Sequence, residues 1–216
     1  MDQPNASQYQ SFSNEAEITL GVLKAIEGRQ SVTQRSLASE LGIALGLTNS
    51  YLKRCIKKGL IKVKQVPSNR YAYYLTPKGF AEKARLTAEY LSESVRFFRE
   101  AREEYNELLI ACRDSDVRSI VFAGASDLAE IAAICAAELG IEIAAVIDPK
   151  SSAATMVGLP VAPTIDHLTE LDAIIVTDLS DPQSTYDAYC KIFDPHKILT
   201  PPLLNITSTT RGKEEG

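Results

Sequence analysis

The chain has two histidines, four cysteines and no apolar run approaching the ~20 residues that cross a bilayer. Each shortage removes a class of function. Cys55, Cys112, Cys135 and Cys190 are scattered, with neither the paired spacing of a zinc site nor a close redox pair. Each falls in an apolar pattern, which predicts reduced, buried thiols and a cytoplasmic protein. The polar start lacks the hydrophobic region of a secretory signal, so export is not expected, and no membrane partner is expected either. His196 stands in a polar turn and His167 follows Asp166 in a short helix, surface settings for both. There is no nucleophile elbow and no metal-ligand cluster. Tyr186 has Cys190 where a Tyr-x-x-x-Lys pair needs lysine. No catalytic residue, no catalytic cofactor and no bound metal are therefore expected.

Charge is present but unevenly placed. Residues 1–78 hold eleven Lys or Arg against five Asp or Glu, whereas 119–216 hold five against fourteen. Only the front third has a field that attracts a polyanion. The acidic rear must do something else.

The stretch from Thr33 to Leu75 has the order helix, turn, helix, hairpin. Thr33 caps a short helix over Gln34 to Leu41, and Gly42 stops it. A second helix runs from Leu45 to Lys58, with Leu45, Leu52, Cys55 and Ile56 as its expected buried side. Leu60 to Val66 and Tyr71 to Leu75 alternate as strands, joined by Pro67-Ser68-Asn69-Arg70. In such a unit the second helix enters the major groove of double-stranded DNA. Its polar residues Thr48, Asn49, Ser50, Lys53, Arg54 and Lys57, with Lys64 and Arg70 on the hairpin, are the expected DNA contacts. A preceding helix from Asn14, boxed by Glu17 and ended by Gly28, completes the core. Residues 1–13 read as disordered.

Thr76 and Pro77 open another helix, which meets no Pro or Gly after Gly79 until about Ala111. Leu91, Val95, Phe98, Ala101, Tyr105, Leu108 and Cys112 stripe it at spacings of three and four. A helix of roughly thirty residues exceeds what one small domain buries. Leu91, Val95, Phe98 and Tyr105 are thus expected to form a homodimer seam, the alternative being packing on the rear domain of the same chain.

After a polar break at residues 113–116, strands and helices alternate: Ile120 to Ala123, a helix to Leu139, Ile141 to Ile147, Leu159 to Ala162, a short helix near Ile165 to Leu171, Ala173 to Val176, a helix from Pro182 through Phe193, and Lys197 to Leu199. Near-continuous apolar strands imply a parallel sheet covered on both faces. Gly124, Ser126 and Ala129 stand at the glycine positions of a dinucleotide fingerprint, and Asp148 sits where a ribose is held. Gly124, Ala125, Ser126, Asp127 and Asp148 are the expected ligand contacts, with Asp127 turned inward to cap the helix.

Several runs carry resemblances. Leu41-Gly42, Leu45-Gly46, Asn49, Leu52-Lys53, Lys58-Gly59, Asn69-Arg70-Tyr71 and Tyr74-Leu75-Thr76-Pro77-Lys78-Gly79-Phe80 resemble the MarR-class winged-helix regulators associated with exopolysaccharide gene clusters. Ser119 to Leu204 is similar to the Rossmann-like domains that precede sugar acyltransferases, and more loosely to those of nucleotide-sugar dehydratases and redox-sensing repressors. These resemblances imply a regulator whose bound effector is a nucleotide, nucleotide-sugar or NAD(H). No run in this sequence resembles the catalytic coil of an acyltransferase, so that activity is not expected to transfer.

The expectation is an α/β two-domain chain. It has a winged helix-turn-helix at 14–78, a long dimerisation helix at 79–113, a Rossmann-like parallel sheet with helices on both faces at 118–204, and a polar tail at 205–216. Its expected partners are double-stranded DNA, a second copy and a small-molecule effector. Two rivals stay open: a nucleotide-dependent enzyme using Asp127, Asp148 or Asp178, and a regulator whose rear domain serves only assembly.

Overall fold

The structure, a computed structural model, describes residues 14–28, 32–66, 70–166 and 170–207. The expected disorder of 1–13, the hairpin turn at 67–69, His167 and the tail beyond 207 lie outside the described residues. Two compact units make up the chain, Met1–Arg96 and Phe97–Gly216.

In the first unit, helices α1 (Asn14–Glu27), α2 (Gln34–Leu41) and α3 (Leu45–Lys57) precede strands β1 (Ile61–Val66) and β2 (Arg70–Leu75). Thr33 caps α2 by accepting from the Ser36 N–H, and Ser36 Oγ accepts from the Thr33 N–H in return. Gly42 ends α2 at φ 63°, where a side chain would be strained. Leu20, Leu23, Ile26, Leu37, Leu52 and Cys55 close the core between the three helices. β1 and β2 pair antiparallel with Lys62 opposite Tyr74 and Lys64 opposite Ala72.

Helix α4 (Pro77–Asp114) begins here, and its first turn is bolted to the end of α3. The Thr76 hydroxyl donates to the Gly59 carbonyl at 2.7 Å and accepts from the Gly79 N–H at 3.0 Å. The Thr76 N–H donates to the Leu60 carbonyl at 3.0 Å, and Lys78 Nζ to that of Lys58 at 3.0 Å. A Cβ on Gly79 would fall 2.1 Å from the Leu60 oxygen, so only glycine fits at this crossing. Thr76, Lys78 and Gly79 of this run thus fasten the start of α4 to the end of α3.

The second unit takes the rest of α4 and a six-stranded sheet. Its strands are β3 (Ile120–Ala123), β4 (Ile143–Ile147), β5 (Thr155–Met156), β6 (Leu159–Ala162), β7 (Ala173–Val176) and β8 (Ile198–Leu199), in the order β5-β6-β4-β3-β7-β8. All pairings are parallel except the edge pair β5 and β6. Helix α5 (Asp127–Leu139) and α4 residues Ala101, Tyr105, Leu109 and Cys112 pack with Ile120 and Phe122 in one cluster. The alternate residues Val121, Ala123 and Ile174 join Tyr189 and Phe193 in another. The sheet is covered on both faces, which is why its strands read as unbroken apolar runs.

Two expectations are corrected here, and one pairing is added. Tyr105 is fully buried in its own chain, and its hydroxyl donates to the Val176 carbonyl at 2.9 Å, so it lines no seam between copies. Helix α6 (Pro182–Tyr189) stops short of Phe193, because residues 190–193 turn to place Phe193 against the sheet. Strand β6 stands where expected, but its antiparallel partner, the two-residue β5, was not foreseen, and the turn between them puts Val157 at φ 46°.

Candidate nucleic-acid interface and glycine turn

On α3 the buried positions are Thr48, Leu52 and Cys55, spaced four and three apart. The opposite side carries Ser50, Lys53, Arg54 and Lys57, all exposed. Such a surface donates hydrogen bonds and neutralises phosphates. Burial pushes the Cys55 thiol up to about 11, so it stays neutral within the helix core.

Of the eight residues expected to meet DNA, five are exposed: Ser50, Lys53, Arg54, Lys57 and Lys64. Thr48 is not, because it is wholly buried and its hydroxyl donates to the Ala44 carbonyl at 3.1 Å. Arg54 is exposed but already engaged: it pairs with Glu15 and lies 5.4 Å from the Tyr51 ring. Asn49 is half-buried, and among the described residues nothing donates to its Oδ1. The Arg70 backbone belongs to β2, while its side chain lies outside the described residues. Lys62 and Tyr74 were overlooked; they are cross-strand partners and exposed with Lys64, which alternation along β1 would have signalled. Leu45, expected inside, is 40% exposed.

In the second unit the turn after β3 is held from three sides. The Gly124 N–H donates to the Ile147 carbonyl at 2.9 Å. The Thr177 hydroxyl donates to the Gly124 carbonyl at 2.6 Å. Asp148 Oδ2 accepts from the Ala125 N–H at 3.0 Å, and its Oδ1 from the Lys150 N–H at 2.8 Å. Asp148 therefore braces the turn and takes up an N–H that a phosphate would use.

Gly124 has φ 112°, and a Cβ there would stand 2.5 Å from the Asp178 Cα and N. The glycine is needed for packing against the end of β7, independent of any ligand. Ser126, not Asp127, caps α5: its Oγ accepts from the Leu128 N–H at 3.1 Å and donates to the Thr177 carbonyl. The extended backbone of Ser126 aims its side chain at that N–H, which leaves Asp127 exposed.

Asp178 is saturated. It accepts from the Ser180 N–H and hydroxyl, the Asp181 N–H and the Thr185 hydroxyl. Burial pushes its pKa up, but these donors outweigh burial and hold it below the usual carboxylate range. Tyr189 is raised to about 12 by burial and by the nearby Asp148 charge.

Residues 15–62 match the family model described as winged helix-turn-helix DNA-binding. Among solved structures, a MarR-family transcription regulator is 18% identical, covering 40% of this chain and 62% of its own at TM-score 0.36. The PcaV transcriptional regulator from Streptomyces coelicolor is 20% identical, with 46% and 76% covered at TM-score 0.37. MepR, a transcription regulator of the Staphylococcus aureus multidrug efflux pump MepA, is 24% identical, with 48% and 76% covered at TM-score 0.36. The chain thus spans less than two thirds of the first of these. No curated protein sequence matches it. Among the described residues no helix is long and apolar enough to cross a membrane.

Proposed function

We propose that the protein is a homodimeric DNA-binding transcription regulator whose second unit senses a small molecule. One observation carries the reading. A winged helix-turn-helix presents Ser50, Lys53 and Lys57 outward on its second helix, with Lys62 and Lys64 exposed on the hairpin, in the only part of the chain rich in positive charge. Ser50 and Lys53 meet base edges, with Asn49 beside them, while Lys57 and Lys64 meet phosphate. Arg54 exchanges Glu15 for phosphate in the complex. Lys57→Gln lowers the slope of log affinity against log salt by about one unit and weakens binding evenly across sequences. Equal affinity for the gene's own upstream region and for random duplex at moderate salt would overturn the reading.

Leu91, Val95 and Phe98 are exposed at spacings of four and three on α4. That stripe supports a helix-to-helix seam with a second copy.

For the second unit we propose a Rossmann-like sensor with a nucleotide-sugar as the leading effector. The parallel strands run third, second, first, fourth, fifth, and the glycine turn opens at the central switch point. Asp127 exposed at the helix start, and Asp148 on the Ala125 N–H, favour the neutral hydroxyls of a ribose or sugar at this turn, with the effector's diphosphate held away from it. The likeness to exopolysaccharide-associated regulators points the regulated genes toward polysaccharide biosynthesis. A thermal-shift screen of nucleotide-sugars, NAD, NADH and coenzyme A tests this. An effector at a hundred times its dissociation constant stabilises by about 2.7 kcal/mol. A specific observation favours a second reading, assembly only: Ser126, Asp148 and Asp178 are all engaged within the fold. A screen without a hit selects it, and a hit with NADH alone selects a redox sensor.

A further inference from the structure

The first turn of α3 carries residues the fold itself does not require. Leu47 is 44% exposed. Gly46 is helical, and a Cβ there would meet nothing within 4 Å. Glycine weakens a helix, so its presence where alanine fits points to something approaching from outside. Helical spacing places Gly46 in line with Ser50, Lys53 and Lys57, and Leu47 in line with Ser50 and Arg54. The bare and apolar turn is therefore the leading end of the polar and basic face. Residues at the start of a groove-reading helix are those that meet base edges. Among the major-groove groups offered by the four bases, the one apolar group is the thymine 5-methyl.

We propose that Leu47 reads thymine by packing on its 5-methyl group, while Gly46 leaves the first turn bare enough to come close. The inference rests on the DNA-reading function above and adds what is read. It supplies a base contact in place of Thr48, which is buried and bonded to its own helix. The cation at Lys57 fits a phosphate beside such a contact, with Ser50 and Lys53 left for the neighbouring base edges.

The test uses the full chain and a site enriched from a random library of synthetic duplexes, which hold no methylated cytosine. That site is then made with thymine or with deoxyuridine at each position. Wild type loses about fourfold in affinity for each contacted methyl removed, the worth of one buried carbon. Leu47→Ala binds the two duplexes alike, with an unchanged salt slope and an unchanged far-ultraviolet circular dichroism spectrum. Gly46→Ala raises the thermal midpoint yet weakens DNA binding, a combination that a purely structural glycine does not give. Enrichment of a site that wild type binds equally with thymine and deoxyuridine overturns the inference alone, as does full discrimination by Leu47→Ala. Failure to enrich any site overturns the DNA-reading function, and this inference with it.

Discussion

Replacing Gly124 by alanine separates two costs that the second unit has avoided. The first is conformational: at φ 112° a side chain is strained, by about 1–3 kcal/mol. The second is steric, because the new Cβ meets the Asp178 Cα and N at 2.5 Å. Asp178 cannot retreat cheaply, since four donors fix its carboxylate. Forced overlap in a packed interior adds about 1–3 kcal/mol, so Gly124→Ala costs about 2–6 kcal/mol in all. Gly140→Ala is the control. It too has positive φ, 68°, but a Cβ there meets nothing within 4 Å, so only the strain of about 1–2 kcal/mol applies. Urea unfolding followed by circular dichroism, with hydrogen exchange to assign the transition to residues 97–207, measures both variants. For a slope near 2 kcal/mol/M, Gly124→Ala moves the midpoint down by about 2 M and Gly140→Ala by under 1 M. Equal losses would refute the close approach to Asp178.

Tyr105→Phe leaves the Val176 carbonyl unsatisfied inside the core and costs about 1–3 kcal/mol by the same unfolding assay. Phe98→Glu puts an unpaired charge on the proposed seam, a loss of several kcal/mol in association; light scattering at micromolar concentration then finds monomers where wild type is dimeric. Glu104 has its pKa raised, first by burial and then by Glu100, Glu107 and Glu103, against the Leu203 N–H that lowers it. A carboxyl raised in the folded state disfavours folding when ionised, so Glu104→Gln stabilises at pH 7 by about 0.5 kcal/mol, the size of one like-charge helix pair. That gain fades as pH falls through the raised value and is gone below the ordinary carboxylate range, as thermal melts across pH will show.

Much of the fold was legible because local signals and burial agreed. Ile120–Ala123, Leu159–Ala162 and Ala173–Val176 stand where unbroken apolar runs placed them. Thr33 and Gly42 close α2 as their chemistry requires. What escaped was the choice of partner. Tyr105 on the α4 stripe was expected in a seam with Leu91, Val95 and Phe98, yet Ala101, Tyr105 and Cys112 of that stripe enter the core of the second unit. Spacing reveals an apolar face without saying what covers it. The same gap explains Asp148, whose position suits a ribose but whose oxygens meet backbone N–H groups. Thr48 looked polar in a polar run, while helical phase put it beneath Leu52 and Cys55 on the buried side.

The fastening of α4 to the end of α3 makes the hairpin a closed loop with a shared root. Thr76 and Gly79 tie the chain leaving β2 back to Gly59 and Leu60, where it entered. Those bonds involve no residue of the hairpin beyond its root. Such a hairpin is a replaceable part: lineages can lengthen or trim it without retuning the helix that reads the groove. One arithmetic rule governs the exchange. Residues must come and go in pairs on each strand, because a single insertion turns every later side chain to the opposite face. Length variation beyond Lys64 in related chains should therefore run in even steps, with the Lys62 and Lys64 face kept in phase.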